Sequence, residues 1–292
     1  MDGSLQILRL APAGGGDGSG VGGSTFTRLG PLPRSSGGGG GDAVSTQASD
    51  VVHAVAAFRD HAKYVVCARW SRDGALLATA SHDKTVALYS TAAAAADGDG
   101  AAAAAAPLRL VTKLYFPEAV EAVEFVGGGA SGDPQRLMVA SREQPHLVYV
   151  DLVDGAGYAQ ARVSVNANAW DAHVSFSVLG LAASPDGRYV LAATDRARTI
   201  VYRAGHNAHI RTLVGHAADA YFQPRAAWSP SGLTAFCNSQ DARGVVAYCV
   251  AGARVVERAG GHAGAVRDVC THPTARVLYT ASYDKSVKVW TY

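Results

Sequence analysis

The sequence predicts an all-β protein assembled from one small antiparallel sheet repeated along the chain. Three observations carry this. First, segments in which Val, Ile, Thr and Tyr dominate recur with period-two alternation, as in VALY and VKVW, and such segments read as strands rather than helices. Second, each follows a small-residue strand and an acidic turn: TASHDKTVALY (79–89), VASREQPHLVYV (139–150), AATDRARTIVY (192–202), CNSQDARGVVAY (237–248) and TASYDKSVKVW (280–290). Third, the closing residues Tyr89, Tyr149, Tyr202, Tyr248 and Trp290 lie 60, 53, 46 and 42 positions apart. The last two intervals are close to the roughly 40 to 45 residue period of a four-stranded propeller blade. The first two are that period plus visible insertions.

Taken in order, the chain opens with a short strand-like segment (4–10). Residues 11–50 are rich in Gly, Ser and Pro, and 14 of the 33 glycines lie in the first 50 positions. Such a segment offers too little apolar surface to offset the entropy of ordering, so a flexible stretch is expected. Repeats follow at about 51–90, 107–153, 158–203, 206–250 and 251–292. The tight-turn signals SRDG (71–74), SPDG (184–187), SPSG (229–232) and HPTA (272–275) precede the second strand of four of them. Polyalanine runs around Asp97–Gly100 and the GGGASGDP of 127–134 read as expanded loops.

Composition removes several classes. Of 292 residues 17% are charged and the net charge is +2, which gives no strong signal for a polyanion partner. No run of about 18 apolar residues occurs, so no membrane partner is expected. Cys67, Cys237, Cys249 and Cys270 form no CxxC pair and lie in strand-like text, which predicts reduced thiols in a cytoplasmic or nuclear protein. Phosphate-loop, zinc-helix and nucleophile-elbow motifs do not occur, so no enzyme, cofactor or metal site is predicted.

Histidine and aspartate recur at fixed separation. His61 to Asp83, His173 to Asp195 and His262 to Asp284 are each 22 positions apart, and His216 to Asp241 is 25. With Gly215-His216 and Gly261-His262 opening two units and Trp290 closing the last, the stretch 51–292 resembles the WD-repeat family. No repeat ends in Trp-Asp. The resemblance implies a β-propeller of four-stranded antiparallel blades, and in each blade a structural hydrogen-bond set of His, Ser/Thr, Asp and Trp. By position these are His61, Thr79, Asp83 and Tyr89; His173, Asp195 and Tyr202; His216, Cys237, Asp241 and Tyr248; and His262, Thr280, Asp284 and Trp290. In the second repeat Glu143 stands at the aspartate position. Such groups are tolerable in a core only when paired, which favours fasteners over reagents.

The segment Asp2–Leu8 mirrors Asp284–Trp290, with 51–58 as the outer strand after it, so the N-terminus reads as the remnant of a sixth repeat. Either the ring has six blades with one incomplete, or the chain is a truncated form of a longer, seven-bladed protein; truncation is the favoured expectation, because an open ring exposes strand edges. The resemblance also implies a scaffold or adaptor that binds other proteins. The loops expected around the channel hold Lys63, Tyr64, His82, Lys84, Arg142, Phe176, Arg196, Arg198, Tyr221, Phe222, Arg225, Arg243, Arg267, Tyr283 and Lys285. With the aspartates turned inward, these cations and aromatics are expected to face out and bind an acidic peptide or loop. The alternatives are a nucleic-acid-associated module on the same basic rim, which the low net charge weakens, and a ubiquitin-ligase substrate receptor.

Overall fold

The computed structural model describes residues 5–9, 53–91, 108–127, 135–152, 160–166, 176–206, 208–219, 221–241 and 243–292. The chain divides into two compact units, one of Gln6–Ala57 and one of Met1–Leu5 with Phe58–Tyr292. Strands β1 (Leu5–Arg9) and β2 (His53–Phe58) form a two-stranded sheet.

The remaining strands form five antiparallel meanders. Blade one is β3 (Val65–Trp70), β4 (Leu76–Ser81), β5 (Thr85–Ser90) and β6 (Arg109–Tyr115). Blade two is β7 (Val120–Val126), β8 (Arg136–Ser141), β9 (His146–Asp151) and β10 (Gln160–Ser164). Blade three is β11 (Val178–Ala183), β12 (Tyr189–Thr194), β13 (Arg198–Arg203) and β14 (His209–Val214). Blade four is β15 (Ala226–Trp228), β16 (Thr234–Ser239), β17 (Gly244–Cys249) and β18 (Arg254–Ala259). The fifth, β19 (Val266–Thr271), β20 (Val277–Ser282) and β21 (Val287–Thr291), has three strands among the described residues, one fewer than the predicted four. This is a β-propeller.

Local chemistry sets each blade. In the SRDG turn Ser71 Oγ donates to Asp73 at 2.6 Å and accepts from Leu76 N–H at 2.8 Å, while Gly74 takes φ +71°. A side-chain turn of this kind closes the first hairpin without a longer loop. Bulges at Val65/Cys67, Val120/Ala122, Val178/Gly180 and Val266/Asp268 recur near the start of the innermost strand, where they add twist.

Packing between blades supplies the core. Ala78, Ala80, Val86 and Leu88 of blade one meet Val123, Leu137, Val139 and Val150 of blade two. Met138, Ala140, Leu147 and Tyr149 meet Val190, Ala192, Ile200 and Tyr202, and Leu191, Ala193 and Val201 meet Ala235, Cys237, Val246 and Tyr248. Phe236 and Val245 meet Leu278 and Trp290. Interior blades are therefore apolar on both faces, each fully buried Val or Leu contributing about 1.5–3 kcal/mol. Pairing also corrects the alignment of the second repeat. Tyr149 lies opposite Met138, on the face turned to blade three, and Val150 opposite Leu137 takes the place of Tyr89. A shift of one residue exchanges the two faces of a strand.

The first strands of all five blades surround a cavity of about 550 Å³, lined among others by Arg69, Glu124, Ala182, Trp228 and Asp268. Arg69 Nε pairs with Glu124 at 3.2 Å across the first two blades, while burial pushes the Glu124 carboxyl up.

Candidate interaction face

The loop leading into each blade and the turn between its second and third strands lie at the same end of the sheets. In blade five the predicted set is complete. His262 Nδ1 meets Asp284 at 2.8 Å, its Nε2 meets Thr280 Oγ1 at 2.7 Å, and the Trp290 indole donates to the same hydroxyl at 2.9 Å. Asp284 also accepts from Ala263 N–H and from Ser286, and these hydrogen bonds, with that from Ser286 the largest, hold its carboxyl well below the usual range. Blade one repeats the pattern through His61, with Asp83 at 3.1 Å and Thr79 at 2.8 Å. Burial alone would raise the Asp83 pKa; hydrogen bonds from Thr85, Ala62 N–H and His61 bring it down to about 2. Tyr89 departs from its expected place, since its hydroxyl donates to Asp60 at 2.9 Å, and burial raises its pKa.

Blades three and four correct the spacing argument. The residue with positive φ in the turn is Lys84 in blade one, Ala197 in blade three, Arg243 in blade four and Lys285 in blade five. Asp83 and Asp284 stand immediately before it. In blade three that place belongs to Arg196, and Asp195, one position earlier, accepts from Ser177 N–H at 2.9 Å. His173 lies outside the described residues, and Tyr202 donates to Val165 O at 2.5 Å. In blade four the turn is one residue longer, and Asp241, two positions before Arg243, accepts from Ser239 Oγ. His216 Nδ1 meets the Tyr248 hydroxyl at 2.9 Å, and Cys237 donates to Thr199 at 3.3 Å. Burial lowers the His216 pKa to about 4.

Of the side chains expected to face outward, Lys63, Lys84, Arg142, Arg196, Arg243 and Lys285 are exposed, as are Tyr64, Tyr221 and Tyr283 at 39%, 91% and 66%. Four are corrected. Phe176 and Phe222 are buried, because each packs beneath its loop; Arg198 is half-buried with its guanidinium 4.5 Å over the Phe176 ring. Arg225 turns inward and donates through Nη1 to Leu179 O and Pro224 O and through Nη2 to Val66 O, reaching blades one and three from blade four. Arg267 is half-buried and lies 5.1 Å over the Tyr283 ring.

One group was missed from sequence. Glu121, on β7, has a side chain 3% exposed, yet it accepts from Arg142 Nε at 2.6 Å and meets His82 Nε2 at 3.1 Å. An acid at a position buried by strand alternation, in VEAVEF, was the available signal. Among the described residues no group of three or more His, Cys, Asp or Glu could hold a metal ion.

These features define a propeller in which loop histidines are hydrogen-bonded within blades one, four and five. The family described as WD domain, G-beta repeat matches residues 53–90 and 254–291, the stretches from β2 to β5 and from β18 to β21. These two matches and the five-bladed fold support a WD-repeat β-propeller, a class whose members are generally non-catalytic platforms for protein interaction. No curated protein matches it.

Proposed function

We propose that the chain is a non-catalytic scaffold or adaptor in a multiprotein complex, binding an acidic peptide or acidic loop of another protein on this face. The carrying observation is that every blade offers an exposed cation from its second turn: Lys84, Arg142, Arg196, Arg243 and Lys285. Exposed Tyr64, Tyr221 and Tyr283 lie on loops of the same face, and arginine beside tyrosine is the usual anchor of an interface. Asp83 and Asp284, meanwhile, are tied to their histidines and do not pair with these cations. The proposed compartment is cytoplasm or nucleus, a reading supported by four free cysteines.

The test is capture of partners from native extract by the full chain and by the triple variant Arg196→Glu, Arg243→Glu, Lys285→Glu. Loss of the captured proteins in the variant is expected. Capture that survives all three reversals refutes the reading, and binding that follows phosphate contacts with a steep salt slope transfers it to nucleic acid.

A further inference from the structure

The seam between blades one and two carries a linked group of polar side chains around a buried acid. Glu121 sits at its base, buried, and binds Arg142 Nε on one oxygen and His82 Nε2 on the other. His82 Nδ1 meets the Tyr64 hydroxyl at 2.5 Å, and the two rings lie 4.6 Å apart between centroids, tilted by 55°. The guanidinium plane of Arg142 is thus fixed from one edge while 47% of the side chain stays exposed. Among the described residues neither Nη nitrogen has a hydrogen-bond partner.

A second, independent observation lies in the same seam. Ser141 follows Leu137 and Val139 at alternate positions, on the face of β8 that packs against blade one. By register it is the counterpart of Ser81, whose hydroxyl donates to Lys63 O at 3.2 Å; the Ser141 hydroxyl is buried and has no partner. An unsatisfied hydroxyl here leaves the top of this seam less tightly bonded than its counterpart at Ser81.

We propose that this seam is a seat for the side-chain carboxylate of an acidic partner residue, an Asp or Glu taken by the Nη edge of Arg142 with Tyr64 and His82 beside it. The proposal rests on the interaction-face reading above and names one seat within it. A guanidinium held in place by a buried acid loses little freedom on binding and matches a carboxylate through two parallel hydrogen bonds. A phosphoryl group fits less well. Glu121 lies beneath the seat and Glu118 and Glu143 flank it, so a group carrying about −1.5 to −2 charges meets more repulsion than a carboxylate does.

The experiment titrates a labelled hexaglutamate peptide into the full chain and follows anisotropy, with the imidazole resonances of His82 observed in parallel. Arg142→Gln is expected to weaken binding by about tenfold and Tyr64→Phe by about threefold. Arg243→Gln, a cation of the same face in blade four, is expected to weaken it by about twofold, clearly less than Arg142→Gln does. The His82 resonances move on binding, and melting curves establish that each variant is folded. Absence of binding, equal weakening by Arg142→Gln and Arg243→Gln, or unmoved His82 resonances overturns the seat. Equal weakening leaves the broader interaction face standing, so the two failures are distinct. Tighter binding of a phosphoserine peptide overturns the carboxylate assignment.

Discussion

The Trp290 indole N–H donates to the Thr280 hydroxyl, and that oxygen also lies 2.7 Å from His262 Nε2. Because Trp290 can only donate, the hydroxyl proton goes to Nε2, which places the imidazole proton on Nδ1 facing Asp284. One direction of hydrogen bonding therefore runs from the third strand to the turn.

Thr280→Val removes the member of this chain that serves both neighbours. Thr280 is 1% exposed, so the indole N–H and His262 Nε2 are left without partners in a dry site. A loss of about 2–3 kcal/mol is expected in urea denaturation, against about 1 kcal/mol for Trp290→Phe, which deletes a donor and leaves the Thr–His bond. Equal effects would show that the indole's packing outweighs its hydrogen bond.

Acid should weaken the ring through His216. Its pKa is about 4 in the folded chain against 6.5 ordinarily, because burial disfavours the imidazolium. The unfolded chain then binds more protons in that interval, so stability falls as pH drops from 6.5 toward 4 and is unaffected by this group above 6.5. Denaturation midpoints measured across that range should flatten in His216→Gln. The contribution of Asp83 has a different window: it is present above the ordinary carboxylate pKa of 3.8 and is lost as pH falls toward about 2.

Gly244 has no room for a side chain. A Cβ there would lie 1.9 Å from Ala259 O, where β17 passes close to the end of β18. Gly244→Ala should cost more than about 2 kcal/mol and lower the yield of folded protein. Gly74→Ala meets nothing within 4 Å and is strained only by φ +71°, so about 1 kcal/mol is expected. Thermal melts of the two variants separate steric from conformational cost.

Arg225→Met should reduce stability without weakening the hexaglutamate complex. The guanidinium joins main-chain oxygens of three blades, and its removal leaves those carbonyls short of donors. A lowered melting temperature with unchanged peptide affinity is the expected pair of results; lost affinity at unchanged stability would return Arg225 to the face.

Much of the blade was legible beforehand. Strand alternation, Ser–x–Asp–Gly turns and the pairs His61–Asp83 and His262–Asp284 depend on neighbours close in sequence or on one repeat of fixed length. Equal separation misled at Asp195, because the loop entering a blade and the turn between its second and third strands vary independently in length, and only the left-handed residue Ala197 marks the register. At Tyr149 the aromatic residue itself misled, because strand pairing puts Val150, one position on, in the place of Tyr89.

What the sequence alone determined was the repeat, the strand order within each blade and the His–Thr–Asp sets of blades one and five. Tertiary structure decided which side of a seam each side chain occupies. Arg225 turned inward and Phe176 and Phe222 were buried, although their local sequence matches that of exposed loop residues. Glu121 acquired its meaning only when His82 arrived from blade one and Arg142 from the next hairpin. The physical reason is that hydrogen bonds and burial across a seam depend on positions tens of residues apart, and no periodicity within one strand encodes where a neighbouring blade will present its polar groups.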